Sequence, residues 1–163
     1  MTGRHPRYDP VKTTVKRKRT PAPRTVIGWR EWVHLPHLLE QPIKAKLDTG
    51  ARTSALHAYR VEPYQQDGTP WVRFAIHPVQ RHALPEIECR APLLGQRLIT
   101  SSNGQQQLRH VIRIEARIGD VLFPMDLSLA DRDQMGFRLL IGREAMRRRF
   151  LVDPSRSFQV PQP

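Results

Sequence analysis

The stretch that decides the fold is Ile43-Lys44-Ala45-Lys46-Leu47-Asp48-Thr49-Gly50-Ala51. Ile43, Ala45 and Leu47 lie on one face of an extended chain and the two lysines lie on the other, which predicts a half-buried strand. Asp48 follows at once, so its carboxyl group stands where this strand ends. The glycine two residues later lets backbone approach a carboxylate without a side chain in the way. The stretch therefore predicts a strand that leads into a sharp turn carrying an acidic group.

Strand patterns dominate the rest of the chain. Gly119-Asp120 is a strong turn signal between two apolar segments and predicts a β-hairpin. Residues 143–150 favour a short helix instead. The predicted strands cover residues 26–33, 43–47, 71–76, 87–90, 111–118, 121–129, 138–142 and 151–153. We expect an all-β fold with one short helix near its C-terminal end.

The sequence divides into a basic arm and one domain. Residues 1–24 are rich in Arg, Lys, Thr and Pro and carry too few apolar side chains to form a core, so we predict a disordered arm. Residues 25–160 make up the predicted domain, a length typical of a single domain. The arm lacks the apolar stretch of a secretory signal, and no segment approaches the roughly 18 apolar residues of a membrane span. We expect a cytoplasmic protein without membrane partners.

The chain is strongly basic. It has 27 Lys and Arg residues against 15 Asp and Glu residues, which gives a formal net charge of +12. Such a charge favours anionic partners, among them nucleic acid, ribosomes and acidic peptides. Charge alone does not choose among these, so nucleic acid binding through the basic arm stays open.

The sequence argues against a metal or nucleotide cofactor. Cys89 is the only cysteine, so one chain can build neither an internal disulfide nor an all-cysteine metal cage. There is no His-Glu-x-x-His motif, and His34-Leu35-Pro36-His37 contains a proline that disfavours the helix such ligands need. A phosphate-binding loop of the Gly-x-x-x-x-Gly-Lys type is also missing from the sequence. We predict no metal and no cofactor.

Asp48-Thr49-Gly50-Ala51 resembles the catalytic motif of the retropepsin family of aspartic proteases. A second segment, Leu139-Leu140-Ile141-Gly142-Arg143, is similar to the motif that opens the C-terminal helix of that family. Between them lie a candidate flap, Thr100-Ser101-Ser102-Asn103-Gly104, and the hairpin around Gly119, in the order that the family follows. The resemblance implies a retropepsin-like acid-protease barrel.

More narrowly, the chain resembles bacterial retropepsin-like proteins that carry the label "ATP-dependent zinc protease". Some of those proteins are associated with ATP-grasp ligases that add glutamates to a ribosomal protein. The similarity covers residues 26–158 and leaves the basic arm out. The matching segments are Trp29-Arg30-Glu31, residues 47–53, Ser101-Ser102-Asn103-Gly104, Ala130-Asp131-Arg132 and Leu151-Val152-Asp153-Pro154.

The resemblance implies a catalytic role for Asp48, supported by Thr49, Gly50 and Ala51. In such enzymes two aspartates share one proton, so that one activates water and the other donates to the scissile carbonyl. A single chain supplies one Asp-Thr-Gly, so a competent site needs a two-fold homodimer. The resemblance also implies that Asn103 and Gly104 belong to a flap over the substrate.

The chain departs from retroviral members directly after Ala51. Those enzymes place an acidic residue there to pair with the helix arginine, whereas this chain has Arg52, which cannot pair with Arg143 in that way. One hypothesis is that Arg52, with Arg109 or Arg132, binds Glu- or Asp-rich peptide, including a glutamylated ribosomal protein. The alternative is that these arginines are structural and pair with acidic residues such as Glu144, Asp131 and Asp153.

Two further functions stay open. The fold could serve as a nucleic-acid-binding or ribosome-binding module that uses its basic arm, with the Asp48 loop silent. It could also bind peptides or dimerise without turnover, since fold does not dictate function. We expect an aspartic peptidase over both.

Overall fold

The computed structural model describes residues 23–79, 84–101, 103–131 and 136–161, so the predicted arm lies outside it over residues 1–22. These residues form eleven strands and one helix. The strands are β1 (Thr25–Gly28), β2 (Arg30–Val33), β3 (Ile43–Leu47), β4 (Ser54–His57), β5 (Tyr59–Gln66), β6 (Thr69–Ile76), β7 (Ile87–Thr100), β8 (Gln106–Ile118), β9 (Val121–Ala130), β10 (Leu139–Ile141) and β11 (Phe150–Asp153), and the helix is α1 (Arg143–Met146). The prediction of an all-β fold with one short helix is confirmed.

Nine strands form one sheet in the order β2-β3-β10-β4-β9-β8-β7-β6-β5, and β1 pairs with β11 in a separate parallel pair. Strand β10 lies between β3 and β4, parallel to the first and antiparallel to the second. Because β3 and β4 are joined directly along the chain, their connection at residues 48–53 must cross the end of β10. The topology therefore brings both sequence motifs, Asp48-Thr49-Gly50 and Gly142-Arg143, to one place.

Alternation along the strands builds the core. In β8, Ile112, Ile114 and Ile118 are buried while Arg113 and Glu115 between them are exposed, which is the two-residue period of a strand with one buried face. The predicted hairpin is confirmed, since β8 and β9 are antiparallel and end on the pair Ile118 and Val121. The strand predicted over residues 43–47 is also confirmed at both ends.

Several predicted elements have different bounds, and the strand predicted over residues 87–90 continues to Thr100 as β7. The strand predicted over residues 26–33 is broken at Trp29, whose N–H donates to the carbonyl oxygen of Arg156 at 2.9 Å, so β1 and β2 join different sheets. The helix predicted over residues 143–150 ends at Met146. The chain turns back through Arg148, at φ +70°, and this turn lets Phe150 pack edge-on against Phe123 at 5.3 Å. Burial of one aromatic ring thus outweighs the helix propensity of the arginine run.

The described residues contain no helix that is long and apolar enough to cross a membrane. The helix α1 has four residues, whereas a membrane-spanning helix needs about 20.

Candidate active site

Asp48 lies where β3 leaves the sheet. Its backbone N–H donates to the carbonyl oxygen of Ile141 at 2.8 Å, which continues the pairing of β3 with β10 by one residue. Further along the turn, the N–H of Gly50 donates to Oδ1 of Asp48 at 3.0 Å, and that of Ala51 donates to the Asp48 carbonyl oxygen at 3.2 Å. Thr49 and Gly50 are exposed, and Asp48 is half-buried. A fixed carboxyl group therefore stands at an accessible surface.

Gly142 packs directly against the same loop. A Cβ atom there would lie 2.5 Å from the carbonyl oxygen and 2.6 Å from the carbonyl carbon of Thr53, far inside van der Waals contact. Its φ of −91° is ordinary, so the position needs glycine for space rather than for backbone freedom. The N–H of Gly142 donates to Oγ of Ser54 at 3.1 Å, which fixes the start of β4 against the start of α1.

Two arginines join the loop to α1. The backbone N–H of Arg143 donates to the carbonyl oxygen of Ala51 at 2.8 Å, and its guanidinium donates to that of Thr49 at 3.0 Å. Arg52 forms an ion pair with Glu144, with Nε and Oε1 2.8 Å apart and side chains 78% and 43% exposed. This pair is the structural alternative that the sequence left open for Arg52. A role of Arg52 in substrate binding stays a prediction.

Asn103 and Gly104 lie at the tip of the hairpin formed by β7 and β8. Gly104 has φ +81°, a conformation that favours glycine, and its N–H donates to the carbonyl oxygen of Ser101 at 2.9 Å. Nearer the body of the protein, Leu98 and Leu108 are direct cross-strand partners, 59% and 58% exposed. The predicted flap is therefore a hairpin with an exposed apolar pair, and closure over substrate stays a prediction. Ser102 and Arg132 lie outside the described residues.

Asp48 shares one face of the sheet with residues from the neighbouring strands. Side chains alternate along a strand, so Asp48 lies on the same face as Lys46, two residues before it. The register places Lys46 beside Leu140, and Leu140 beside Ala55. We call this face, which is opposite to the core, the site face.

Along the site face, basic side chains surround a recess. Arg138 lies two residues before Leu140, and His57 lies two residues after Ala55. Arg109, on β8, is only 5% exposed and donates from Nε to Oε1 of Gln107 at 3.1 Å. The recess is lined by Ala55, His57, Arg109, Ala130, Phe137, Arg138 and Leu140. We call it the cationic recess.

The sequence predicts a site role for Arg109 but does not place His57 or Arg138 on the site face. Neither lies in a motif, and 81 residues separate them along the chain. Counting in steps of two from Ala55 and Leu140 would have placed both on the site face, although their pairing across β4 and β10 depends on the register. The sequence also does not single out Ser54, whose carbonyl oxygen accepts a hydrogen bond from Oγ of the buried Ser128 at 3.1 Å.

The histidines near β2 have separate partners. His34 contacts Arg117 at 3.2 Å, and His37 contacts Glu115 at 3.4 Å. Across the described part of the chain, no three His, Cys, Asp or Glu residues are grouped so as to hold a metal ion. Cys89 is buried, and that burial raises the pKa of its thiol to about 11, so it is protonated at neutral pH.

Comparison with known proteins agrees with this geometry. Residues 26–163 match the RimB-like family, described as "Retropepsin-like aspartic endopeptidase RimB". Proteins named "Probable alpha-L-glutamate ligase" are 43% identical over 133 residues in Shewanella pealeana and 42% identical over 135 residues in Parasynechococcus marenigrum. The matched regions cover 82% and 83% of this chain but 29% of each relative. The chain thus spans about three-tenths of the length of the curated relatives that it matches.

A solved structure supports the fold. The crystal structure of Lpg0085 from Legionella pneumophila, a protein described as of unknown function, superposes with a TM-score of 0.69 at 24% sequence identity. The match covers 83% of this chain and 97% of the other, which establishes a common fold. Together with the family match over residues 26–163, these observations show that the chain belongs to the RimB-like family of retropepsin-like aspartic endopeptidases.

Proposed function

We propose that this protein is an aspartic peptidase whose catalytic dyad consists of Asp48 from two identical chains. The observation that carries the proposal is the Asp48 loop itself, which crosses the end of β10 and is hydrogen-bonded there at 2.8 Å. Such a loop holds a carboxyl group at a surface where a second copy can approach. Membership of the RimB-like family supports the same activity.

The proposed reaction needs both carboxyl groups in different protonation states. Two aspartates within hydrogen-bond distance share one proton because repulsion disfavours two charges. The ionised carboxylate takes a proton from water as its oxygen attacks the scissile carbonyl carbon, and the protonated one donates to the carbonyl oxygen. Collapse of the tetrahedral intermediate, with proton transfer to the leaving nitrogen, yields one new carboxyl and one new amino terminus. Neither step needs a cofactor.

Homodimerisation is part of the proposal because the sequence contains one Asp-Thr-Gly. Thr49 is exposed beside Asp48 and offers a hydroxyl group for contact between two such loops. The β1–β11 pair also offers an apolar surface for a second chain. Its partners Val26 and Leu151 lie side by side and are 51% and 49% exposed.

The substrate in this proposal is an acidic, Glu-rich polypeptide. The net charge of +12 attracts acidic chains over long range. The name "Probable alpha-L-glutamate ligase" belongs to longer relatives, and it supports a polypeptide that carries glutamates as the substrate class. A glutamylated ribosomal protein is the natural candidate within this class. The basic arm would add contacts to nucleic acid, and a cytoplasmic location fits both partners.

The test compares the wild type with Asp48→Asn, using Asp120→Asn as a control that removes an exposed turn carboxyl elsewhere. Each is incubated over a range of pH with a Glu-rich peptide and a Gln-rich peptide, and products are identified by mass spectrometry. We expect Asp48→Asn to lose cleavage while staying dimeric by analytical ultracentrifugation, and Asp120→Asn to behave as wild type. Full activity of Asp48→Asn would refute the proposal.

A further inference from the structure

We propose that Arg24, Arg147 and Arg148 form a docking surface for the phosphate backbone of a nucleic acid, which the rest of the basic arm extends. We call these three residues the junction arginines. The inference goes beyond the proposed peptidase, because it assigns a second binding partner to folded residues outside the Asp48 loop. It does not depend on the activity of Asp48.

The junction arginines differ from the other cations of the domain in their contacts. Across the described part of the chain, every other arginine and both lysines have a hydrogen bond, an ion pair, a ring contact or an electrostatic partner. The arginines with an acidic partner are Arg52, Arg60, Arg73, Arg90, Arg97, Arg113 and Arg156. The junction arginines are exposed, and their side chains have no such contact with the described residues. Their charge is therefore open to an outside partner.

The fold brings the junction arginines to one place. Arg147 and Arg148 belong to the turn that follows α1, and Arg24 directly precedes β1. The N–H of Thr25 donates to the carbonyl oxygen of Arg149 at 3.0 Å, where the pairing of β1 with β11 begins. The arm thus joins the domain beside the turn, and the cations without a described partner lie together.

The backbone at Arg148 does not favour an arginine. Its φ of +70° is left-handed, and it follows the C-cap of α1, Arg147, at the position where helices most often have glycine. A side chain costs stability in this conformation. An outlier of this kind suggests a use for the side chain. Binding of an anion by the guanidinium provides such a use.

The charge of the arm points to a polyanion. Residues 1–24 contain eight of the 27 Lys and Arg residues and one of the 15 Asp and Glu residues, so the arm contributes +7 of the net charge of +12. Basic N-terminal arms are typical of proteins that bind nucleic acid. A guanidinium also presents paired N–H groups that match phosphate oxygens. Tyr8 is the only Phe, Tyr or Trp residue of the arm, which predicts contact with the backbone rather than stacking on bases.

A Glu-rich polypeptide is the other anionic polymer to consider. The arginines nearest to the Asp48 loop are already engaged, because Arg52 pairs with Glu144 and Arg143 donates to the carbonyl oxygen of Thr49. Cations without a described partner begin only at the other end of α1. A chain held at the Asp48 loop therefore meets paired arginines, and the junction arginines suit a separate partner.

The test measures binding of the full chain to a labelled single-stranded RNA of about 20 nucleotides by fluorescence anisotropy over a range of salt concentrations. Each phosphate contact in a single strand contributes about 0.7 to the slope of log K against log salt. Arg147→Gln combined with Arg148→Gln should reduce that slope by about 1.4, an affinity loss of about 25-fold at about 0.1 M salt. The control is Arg73→Gln combined with Arg90→Gln, which removes the same charge from arginines that pair with glutamates. It should cost less than about threefold.

Arg148→Gly separates binding from folding. Glycine suits the backbone at this position, so we expect Tm to rise by about 3 °C. One phosphate contact is lost, so affinity for RNA should fall by about fivefold at about 0.1 M salt. A purely structural role of Arg148 predicts the opposite, a lower Tm with unchanged affinity, and that result would overturn its place in the surface.

The remaining outcomes separate this surface from the peptidase and from net charge. Asp48→Asn should bind RNA as the wild type does, so loss of the peptidase proposal leaves the surface intact. The surface is overturned if the folded Arg147→Gln, Arg148→Gln protein keeps the wild-type affinity, or if the control loses as much, which would show that only net charge matters. It is also overturned if that protein keeps its affinity for RNA but loses affinity for a Glu-rich peptide, since the junction arginines would then bind polypeptide.

Discussion

The Asp48 loop and the tip of the β7–β8 hairpin are both turns that carry predicted site residues, but different contacts hold them. The loop is bonded to other elements, with Asp48 N–H donating to β10 and Arg143 N–H donating back to Ala51. At the hairpin tip, Gly104 N–H donates to Ser101, and Ser101 N–H donates to Gln105, so these bonds stay within the turn. The geometry of the loop thus depends on its contacts with other elements, whereas that of the tip depends on hydrogen bonds within the turn.

This difference matches the two roles in the proposed mechanism. A catalytic carboxyl must keep its position relative to a second copy, because misplacement of about 1 Å can cost a hundredfold in rate. A flap must instead move to admit substrate. Below the tip, Arg97 on β7 and Arg113 on β8 both bind Asp126 on β9, at 2.9 and 2.7 Å, where β8 also pairs with β9. We expect motion to begin beyond that anchor.

The largest effect should come from Gly142→Ala. The added Cβ would overlap the backbone of Thr53, which cannot move without displacing the Asp48 loop, so we expect a loss of about 3 kcal/mol in the free energy of unfolding. Chemical denaturation measures this loss. Residual folded protein should also lose the proposed peptidase activity, because the loop would shift.

Gly104→Ala is the matched control for that experiment. Apart from its neighbours in the chain, no described residue has an atom within 4 Å of the position of its Cβ, so the expected penalty is that of a left-handed conformation, about 1 kcal/mol. Equal losses for the two variants would contradict the distinction between a loop held by packing and a tip held by its own turn.

Asp126→Asn tests the anchor of the hairpin and should have an intermediate effect. The Arg113 guanidinium, helped by Arg97, holds the pKa of Asp126 below its ordinary value of 3.8, against the opposing effect of burial. Because the pKa is lower in the folded protein, the ionised carboxylate stabilises the fold above about pH 4, the unfolded value. We expect the variant to lose about 1 kcal/mol at pH 7.

The pH dependence gives the control for this prediction. As pH falls through the lowered pKa, wild-type Asp126 becomes protonated and its advantage disappears, so the stabilities of the two proteins should converge below about pH 4. Hydrogen exchange at neutral pH should quicken in β7 and β8 of the variant. A difference that stays constant down to the lowest accessible pH would show that packing, and not charge, explains the loss.

Patterns in the sequence predict the parts of the fold that depend on residues adjacent in the chain. The alternation in β3 gave its bounds, and Gly119-Asp120 gave the hairpin, because both depend on adjacent residues. The break at Trp29 and the end of α1 could not be predicted in this way. Each depends on a distant partner, Arg156 in one case and Phe123 in the other.

The same distinction between local patterns and distant contacts applies to the candidate site. Asp48 and Gly142 lie in motifs, so the sequence was sufficient to find them. The cationic recess depends on which residues of β4, β8 and β10 lie side by side, and a slip of one residue in any pair would move a side chain to the opposite face. For Arg52 the sequence left two hypotheses open, substrate binding and a pair with Glu144, and only the fold shows that Glu144, 92 residues away, lies within reach.

The smallest effect is expected for Arg52→Gln. Its ion pair with Glu144 is largely exposed, and the loop keeps the backbone bond from Arg143 to Ala51 in its absence, so we expect a loss below about 0.5 kcal/mol. A double-mutant cycle with Glu144→Gln at low and high salt isolates the pair, and its coupling should fall further in high salt. A coupling energy above about 2 kcal/mol would mean that side-chain charge, rather than the backbone bonds to β10 and α1, holds the Asp48 loop in place. Ion pairs would then hold both the loop and the hairpin, and the stability of the loop, like that of the hairpin, would depend on salt and pH.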